Sequence, residues 1–114
     1  MLKFETFPVD ILDKEDKYVV LVDIPGVLPQ DLEIFGEEYS ITIKGVKRAI
    51  KDGTFITMER FSGKFSRKIQ FPQGINISKA TAKIENGVLF LEIPKLKDEI
   101  FIDASVKIRI FSNF

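Results

Sequence analysis

The feature that most constrains the fold is a series of short β-type segments, separated by turn residues at intervals of about ten positions. The sharpest turn is Asn86-Gly87, because both residue types accept the positive φ angles of a type I′ turn. Alternating segments flank it, at residues 79–85 and 88–93. The charged segment 95–99 is too short, and its surroundings too β-branched, to favour a helix. The pattern therefore predicts an all-β antiparallel sandwich.

The alternation also predicts the bounds of the individual strands. Segment 18–23 is almost wholly apolar, which indicates a strand covered on both faces. Ile41 and Ile43 are expected to face the core, since they share one parity in an extended strand. A basic, polar loop follows from Lys47, and it contains one further short candidate strand. The predicted strands cover residues 9–13, 18–23, 31–35, 40–46, 55–58, 63–71, 79–85 and 88–93.

The sequence contains no Cys and no His, which excludes disulfides, thiolate nucleophiles, imidazole acid–base chemistry and the usual zinc sites. No glycine-rich phosphate loop is present, so we expect no use of ATP. Its 17 basic residues balance 17 acidic residues, and no overall field attracts nucleic acid or an anionic membrane. We therefore predict no catalytic residues, no cofactor, no metal site, and neither nucleic acid nor membrane as a partner.

Apolar runs in the chain are short. The longest, residues 18–28, is interrupted by Asp23, Pro25 and Gly26, well below the roughly 20 residues that a spanning helix needs. The first ten residues lack the apolar run and small-residue cleavage site of a signal peptide. These observations predict a cytoplasmic location.

Several motifs, in this order and spacing, carry a specific resemblance to a known family. Residues 25–32 contain Pro-Gly and Asp-Leu elements, and residues 59–72 contain E-R-x-x-G-x-F-x-R followed by Pro. Residues 82–95 contain A-x-x-x-N-G-V-L and end in Pro-Lys, and residues 108–110 read I-x-I. Together these motifs resemble the small heat-shock protein family, built on the alpha-crystallin domain, over about residues 8–110.

The resemblance implies an immunoglobulin-like sandwich that dimerises and assembles into higher homo-oligomers. It also implies an ATP-independent chaperone, or holdase, that binds unfolding client proteins and limits their aggregation. The expected organisation is a short N-terminal arm at 1–7, the sandwich at 8–95 and a C-terminal extension at 96–114. A non-chaperone scaffold and a CS-domain-like co-chaperone module on the same sandwich stay open as alternatives.

The resemblance further implies a C-terminal anchor that binds an apolar groove of a neighbouring subunit. The groove would lie between edge strands 31–35 and 79–85, although the same residues also suit ordinary core positions. Ile108 and Ile110 are the expected anchor, because Arg109 between them tolerates water better than Phe101 in the competing segment 100–102. The predicted groove residues are Leu32, Ile34, Ala80, Ala82 and Ile84.

Arg67 shares a strand face with Phe65 and Ile69, where an arginine needs a partner or must extend to solvent. The resemblance makes Arg67 a dimer-interface residue and implies exchange of the loop strand 55–58 between subunits. The predicted interface residues are Arg67, Phe55, Ile56 and Met58. The family's apolar N-terminal arm is only about eight residues here, so we expect client binding at the groove or at sheet edges.

Overall fold

The structure is a computed structural model, and it describes residues 7–97, 106–108 and 110–112 of the 114-residue chain. These residues form nine strands and two short 3₁₀ turns. The strands are β1 (Val9–Asp13), β2 (Lys17–Asp23), β3 (Leu32–Gly36), β4 (Ser40–Lys47), β5 (Gly63–Gln70), β6 (Thr81–Glu85), β7 (Val88–Pro94), β8 (Val106–Lys107) and β9 (Ile110–Ser112). The 3₁₀ turns are η1 (Pro29–Asp31) and η2 (Ile77–Lys79).

The strands form two sheets. One has the order β1-β2-β7-β6-β9 and the other has the order β5-β4-β3-β8. Strands β1 to β7 pair only with antiparallel neighbours among themselves, and the parallel pair is β6 with the tail strand β9. The predicted all-β antiparallel sandwich is therefore confirmed, and each sheet carries a strand from the C-terminal tail at one end.

The core lies between the two sheets and is built from the inward parity of each strand. Ile41 and Ile43 on β4 are at most 1% exposed, as the alternation predicts. Strand β2 lies between β1 and β7, and its outward residue Val19 is only 8% exposed. Burial of one large aliphatic side chain contributes roughly 1.5–3 kcal/mol, so this layer dominates the stability of the sandwich.

The hairpin between β6 and β7 turns at Asn86-Gly87. Both residues have positive φ angles, 52° and 76°, and Glu85 pairs directly with Val88. These angles and the two-residue loop are those of a type I′ turn, as predicted. The Ile24 amide donates to the Gly87 carbonyl at 2.8 Å, so the turn also fixes the chain where it leaves β2.

The candidate strand at 55–58 does not form within the single chain, and its exchange between subunits stays a prediction. Residues 48–62, all within the described part of the chain, form an irregular loop. Its two ends are joined by the pair Lys47 and Gly63, where β4 and β5 lie side by side. An extended segment in this loop finds no neighbouring strand in its own chain to complete a hydrogen-bonded ladder. None of the described residues forms a helix long and apolar enough to cross a membrane.

Candidate functional site: the tail groove

The candidate site is the seam between β3 and β6. Within the sandwich β1–β7, these two strands form the edges of the two sheets on one side. The C-terminal tail crosses this seam and extends both sheets. Strand β8 pairs antiparallel with β3, where Phe35 faces Lys107. Strand β9 then pairs parallel with β6, where Ala82 faces Ile110. A single extended segment therefore satisfies backbone groups on two edge strands that would otherwise be open.

Ile108 lies where the tail changes from one sheet to the other. Its amide donates to the Ile34 carbonyl at 2.9 Å, and the residue is only 3% exposed. It belongs to the same hydrophobic cluster as Ile34, Ala82 and Ile84. Full burial of one isoleucine contributes roughly 1.5–3 kcal/mol, so Ile108 supplies an apolar anchor for the tail at the seam.

The structure brings the predicted groove residues together along this seam. Leu32, Ile34, Ala82 and Ile84 are buried, and Ala80 is half-buried against the same cluster. The 3₁₀ turn η1, which precedes Leu32, contacts β9.

The occupant of the seam differs from the sequence expectation, because the tail lies on its own sandwich and the expected occupant was a neighbour's tail. From Pro94 to Ile108 an extended chain reaches at most about 45–50 Å, enough to fold back as well as to reach outward. The length of the arm therefore does not select a neighbouring subunit. The competing segment 100–102 and Arg109 lie outside the described residues, so the choice between the two anchors stays a prediction.

The opposite seam of the sandwich is filled by an aromatic cluster that the sequence analysis missed. Phe7, just before β1, packs edge-on against Phe65 of β5 with ring centroids 5.0 Å apart, and against Phe61 at 6.0 Å. Phe7 and Val9 share one parity and both pack on the core. That shared parity was the available signal. The two seams thus differ: an N-terminal phenylalanine fills one and the C-terminal tail fills the other.

An ion pair fixes the start of β3 to the loop that follows β4. The Arg48 guanidinium donates to both Asp31 carboxylate oxygens, at 2.6 and 2.7 Å. The Asp31 side chain is only 8% exposed, and the hydrogen bonds from Arg48 hold the pKa of that carboxyl below its ordinary value. Nothing in the sequence pairs these two residues, since the contact depends on how β3 and β4 meet.

The predicted dimer-interface residues fall in two places. Arg67 lies on the core-facing side of β5, half-buried between Phe65 and Ile69, and no ion pair joins it to a carboxylate within residues 7–97. The loop residues Phe55, Ile56 and Met58 are all exposed, Ile56 completely. Phe55 and Met58 line a small loop pocket that does not include Arg67. Their role at an interface stays a prediction.

Sequence and structural comparisons connect this architecture to known proteins. A model described as the Hsp20/alpha crystallin family matches residues 10–110. The chain belongs to this family. The resemblance to small heat-shock proteins, drawn from the motifs alone, is therefore confirmed.

Individual members of the Hsp20/alpha crystallin family show how far the likeness extends. A 17.7 kDa class II heat shock protein of Arabidopsis thaliana is 35% identical over 94 residues, which cover 78% of this chain and 60% of that protein. Heat shock protein 16.0 of Schizosaccharomyces pombe superposes with a TM-score of 0.76 and 26% identity, covering 86% of this chain and 79% of that one. A small heat-shock protein from Xylella fastidiosa superposes with a TM-score of 0.73 and 27% identity, covering 91% and 98%. The chain spans between about half and two thirds of the length of the plant heat-shock proteins that it matches.

Proposed function

We propose that this chain is an ATP-independent holdase chaperone that binds extended apolar segments of unfolding client proteins and limits their aggregation. The observation that carries the proposal is Ile108, which is buried where one extended segment extends both sheets of the sandwich. Membership of the Hsp20/alpha crystallin family and the heat-shock names of its relatives support the same function.

The groove would recognise a segment by its backbone and by alternate side chains. The edges of β3 and β6 supply main-chain hydrogen bonds, which any sequence can use. The apolar wall around Ile34 and Ala82 selects residues that are apolar at every second position. Burial of two isoleucines contributes about 3–6 kcal/mol before ordering costs of similar size are subtracted. Such binding is weak and reversible, as a chaperone that releases its clients requires.

Assembly belongs to the same proposal. Copies would dimerise through Arg67 and the exposed loop residues Phe55, Ile56 and Met58, and dimers would associate further through tails that bind neighbouring grooves. The small heat-shock protein from Xylella fastidiosa has a distinct high order structure, and this likeness supports homo-oligomers for this chain. The arm at 1–7, the sandwich at 8–95 and the extension at 96–114 would act as separate units of this assembly, in the cytoplasm.

The test of chaperone activity is suppression of aggregation of a heated client, measured by light scattering without nucleotide. We expect suppression that rises with the ratio of chaperone to client and that added ATP does not change. A chain that is inert in this assay but retains one defined partner in a pull-down would be a scaffold module, and the holdase proposal would be wrong.

The test of assembly is the double substitution Ile108→Ala with Ile110→Ala. We expect a smaller particle mass by light scattering, with the β-sandwich still folded by circular dichroism. Ile11→Ala on β1 is the matched control, since it removes the same atoms from a side chain that is 45% exposed and lies outside the loop and the tail. An unchanged mass in the double variant would contradict the proposed tail contact.

A further inference from the structure

The groove that the proposed function assigns to other molecules is already occupied by the tail of its own chain. Strand β8 uses the free edge of β3, and β9 uses the free edge of β6. The Ile34 carbonyl accepts from the Ile108 amide, and the Ile108 side chain fills the seam to 3% exposure. A second extended segment therefore finds the apolar space filled and the Ile34 carbonyl engaged.

We propose that the tail is an intramolecular latch: the groove holds either its own tail or a segment from another molecule, and assembly requires the own tail to leave. This inference rests on the proposed function, because it specifies how the same groove is regulated. The self-latched chain is a stored form in which both edge strands are covered. Open edge strands are surfaces through which β proteins aggregate, so the latch also protects the single chain from edge-to-edge aggregation.

The contacts that a tail makes are the same in its own groove and in the groove of an identical neighbour. Their energies therefore cancel in the exchange, as in domain swapping. The choice between the two grooves is therefore determined by local concentration. Because residues 98–105 tether the tail to its own sandwich, the effective concentration of the tail at its own groove is on the order of 1 mM. Free chains at micromolar concentration should consequently be latched.

A neighbour's tail competes only when other contacts raise its local concentration to a similar value. The exposed Phe55, Ile56 and Met58 offer apolar side chains for such contacts. Dimerisation through this loop would bring a second tail close to each groove. The latch thus couples the two interfaces of the proposed assembly: the loop must associate before the tails exchange.

An introduced pair of cysteines can report whether a tail lies in the groove of its own chain or of another chain, because the natural sequence contains no cysteine that could interfere. Phe35 and Lys107 face each other across β3 and β8. In the neighbouring pair, the Ile108 amide donates to the Ile34 carbonyl, so Phe35 and Lys107 form a non-hydrogen-bonded pair. The Cα atoms of such a pair are about 4.5 Å apart, a separation that a disulfide can span. In Phe35→Cys with Lys107→Cys, a latched tail gives a bond within one chain and an exchanged tail gives a bond between chains.

The matched control is Thr42→Cys with Lys68→Cys, an outward pair on β4 and β5 inside the sandwich. Its bond should form within one chain at every protein concentration, which calibrates the efficiency of oxidation. Non-reducing electrophoresis and intact mass distinguish the two kinds of bond in both variants.

For the tail variant oxidised at about 1 μM, we expect the bond within one chain to predominate. Between about 1 μM and about 100 μM the ratio of bonds between chains to bonds within a chain should rise with the fraction of chains associated through the loop, by up to roughly 100-fold while that fraction is small. The oxidised, latched protein should show a smaller mass by light scattering than the same protein after reduction.

Bonds between chains alone, even at the lowest concentration, would overturn the latch. So would bonds within a chain alone under conditions in which light scattering shows large particles. Suppression of client aggregation by the reduced variant is measured in parallel. If suppression is present while the latch fails, the holdase function stands; if suppression is absent, the proposed function fails whatever the disulfides show.

Discussion

Truncation of Ile108 should release the tail while leaving the sandwich folded. Ile108→Ala removes three buried carbon atoms, worth about 0.8 kcal/mol each by transfer, and a cavity term adds to this loss. Because the tail can leave the seam and so relieve the cavity, we expect the low end of the range for buried isoleucine, about 2–3 kcal/mol. This free energy lowers the equilibrium constant for tail binding by roughly 30-fold to 150-fold.

Hydrogen exchange followed by mass spectrometry measures this loss locally. Peptides that contain Ile108 should exchange about 30–150 times faster in the variant, because the Ile108 amide loses the Ile34 carbonyl as its partner. Peptides from the centre of β2, around Val20, should exchange at the rate of the natural protein. Ile50→Ala, which removes the same atoms from an exposed loop side chain, should change neither region. Faster exchange throughout the sandwich would refute the reasoning, since Ile108 would then be part of the global core and not a separable anchor.

Three further predictions concern the sandwich itself. Gly45→Ala should lower the free energy of unfolding in urea by about 1–3 kcal/mol or more, because its Cβ would clash with the Asp31 backbone carbonyl; an unchanged midpoint would show that η1 can move. Because Arg48 lowers the pKa of Asp31, the pair stabilises the fold above the ordinary aspartate pKa near 4 and ceases to do so as the pH falls through the lowered value. Asp31→Asn should therefore lower the unfolding temperature at pH 7 and have a diminishing effect toward pH 3; an effect independent of pH would exclude the ion pair as its cause. Tyr18→Phe should leave the free energy of unfolding unchanged or raise it by about 1 kcal/mol, because the buried Tyr18 hydroxyl has no hydrogen-bond partner among the described residues; a clear loss in urea would reveal a partner.

Much of the fold follows from local sequence. Asn86-Gly87 determines its hairpin through two positive φ angles, a property of those residues alone. The alternation at Ile41 and Ile43 likewise assigns β4 to an inward and an outward face. The candidate strand at 55–58 does not form within the single chain, because a β-strand needs a partner, and residue types alone cannot reveal whether that partner lies in the same chain.

The residues that line the groove could be predicted from the sequence, but the chain that occupies the groove could not. The parity of Ile34 and Ala82 identifies two apolar faces, and the I-x-I motif identifies a segment that suits them. Which chain supplies that segment depends on tether length and local concentration, which residue identities do not record. The ion pair between Asp31 and Arg48 was invisible for a related reason, since it arises only where β3 and β4 meet.

The central claim is that the seam between β3 and β6 is a binding site for an extended apolar segment. The most direct test adds a synthetic peptide of residues 104–112 to the full chain that carries Ile108→Ala and Ile110→Ala, and follows amide chemical shifts by NMR. We predict saturable shifts at Ile34, Ala82 and Ile84, with little change around Phe7 at the opposite seam. Shifts confined to the opposite seam, or no shifts at millimolar peptide, would contradict the claim.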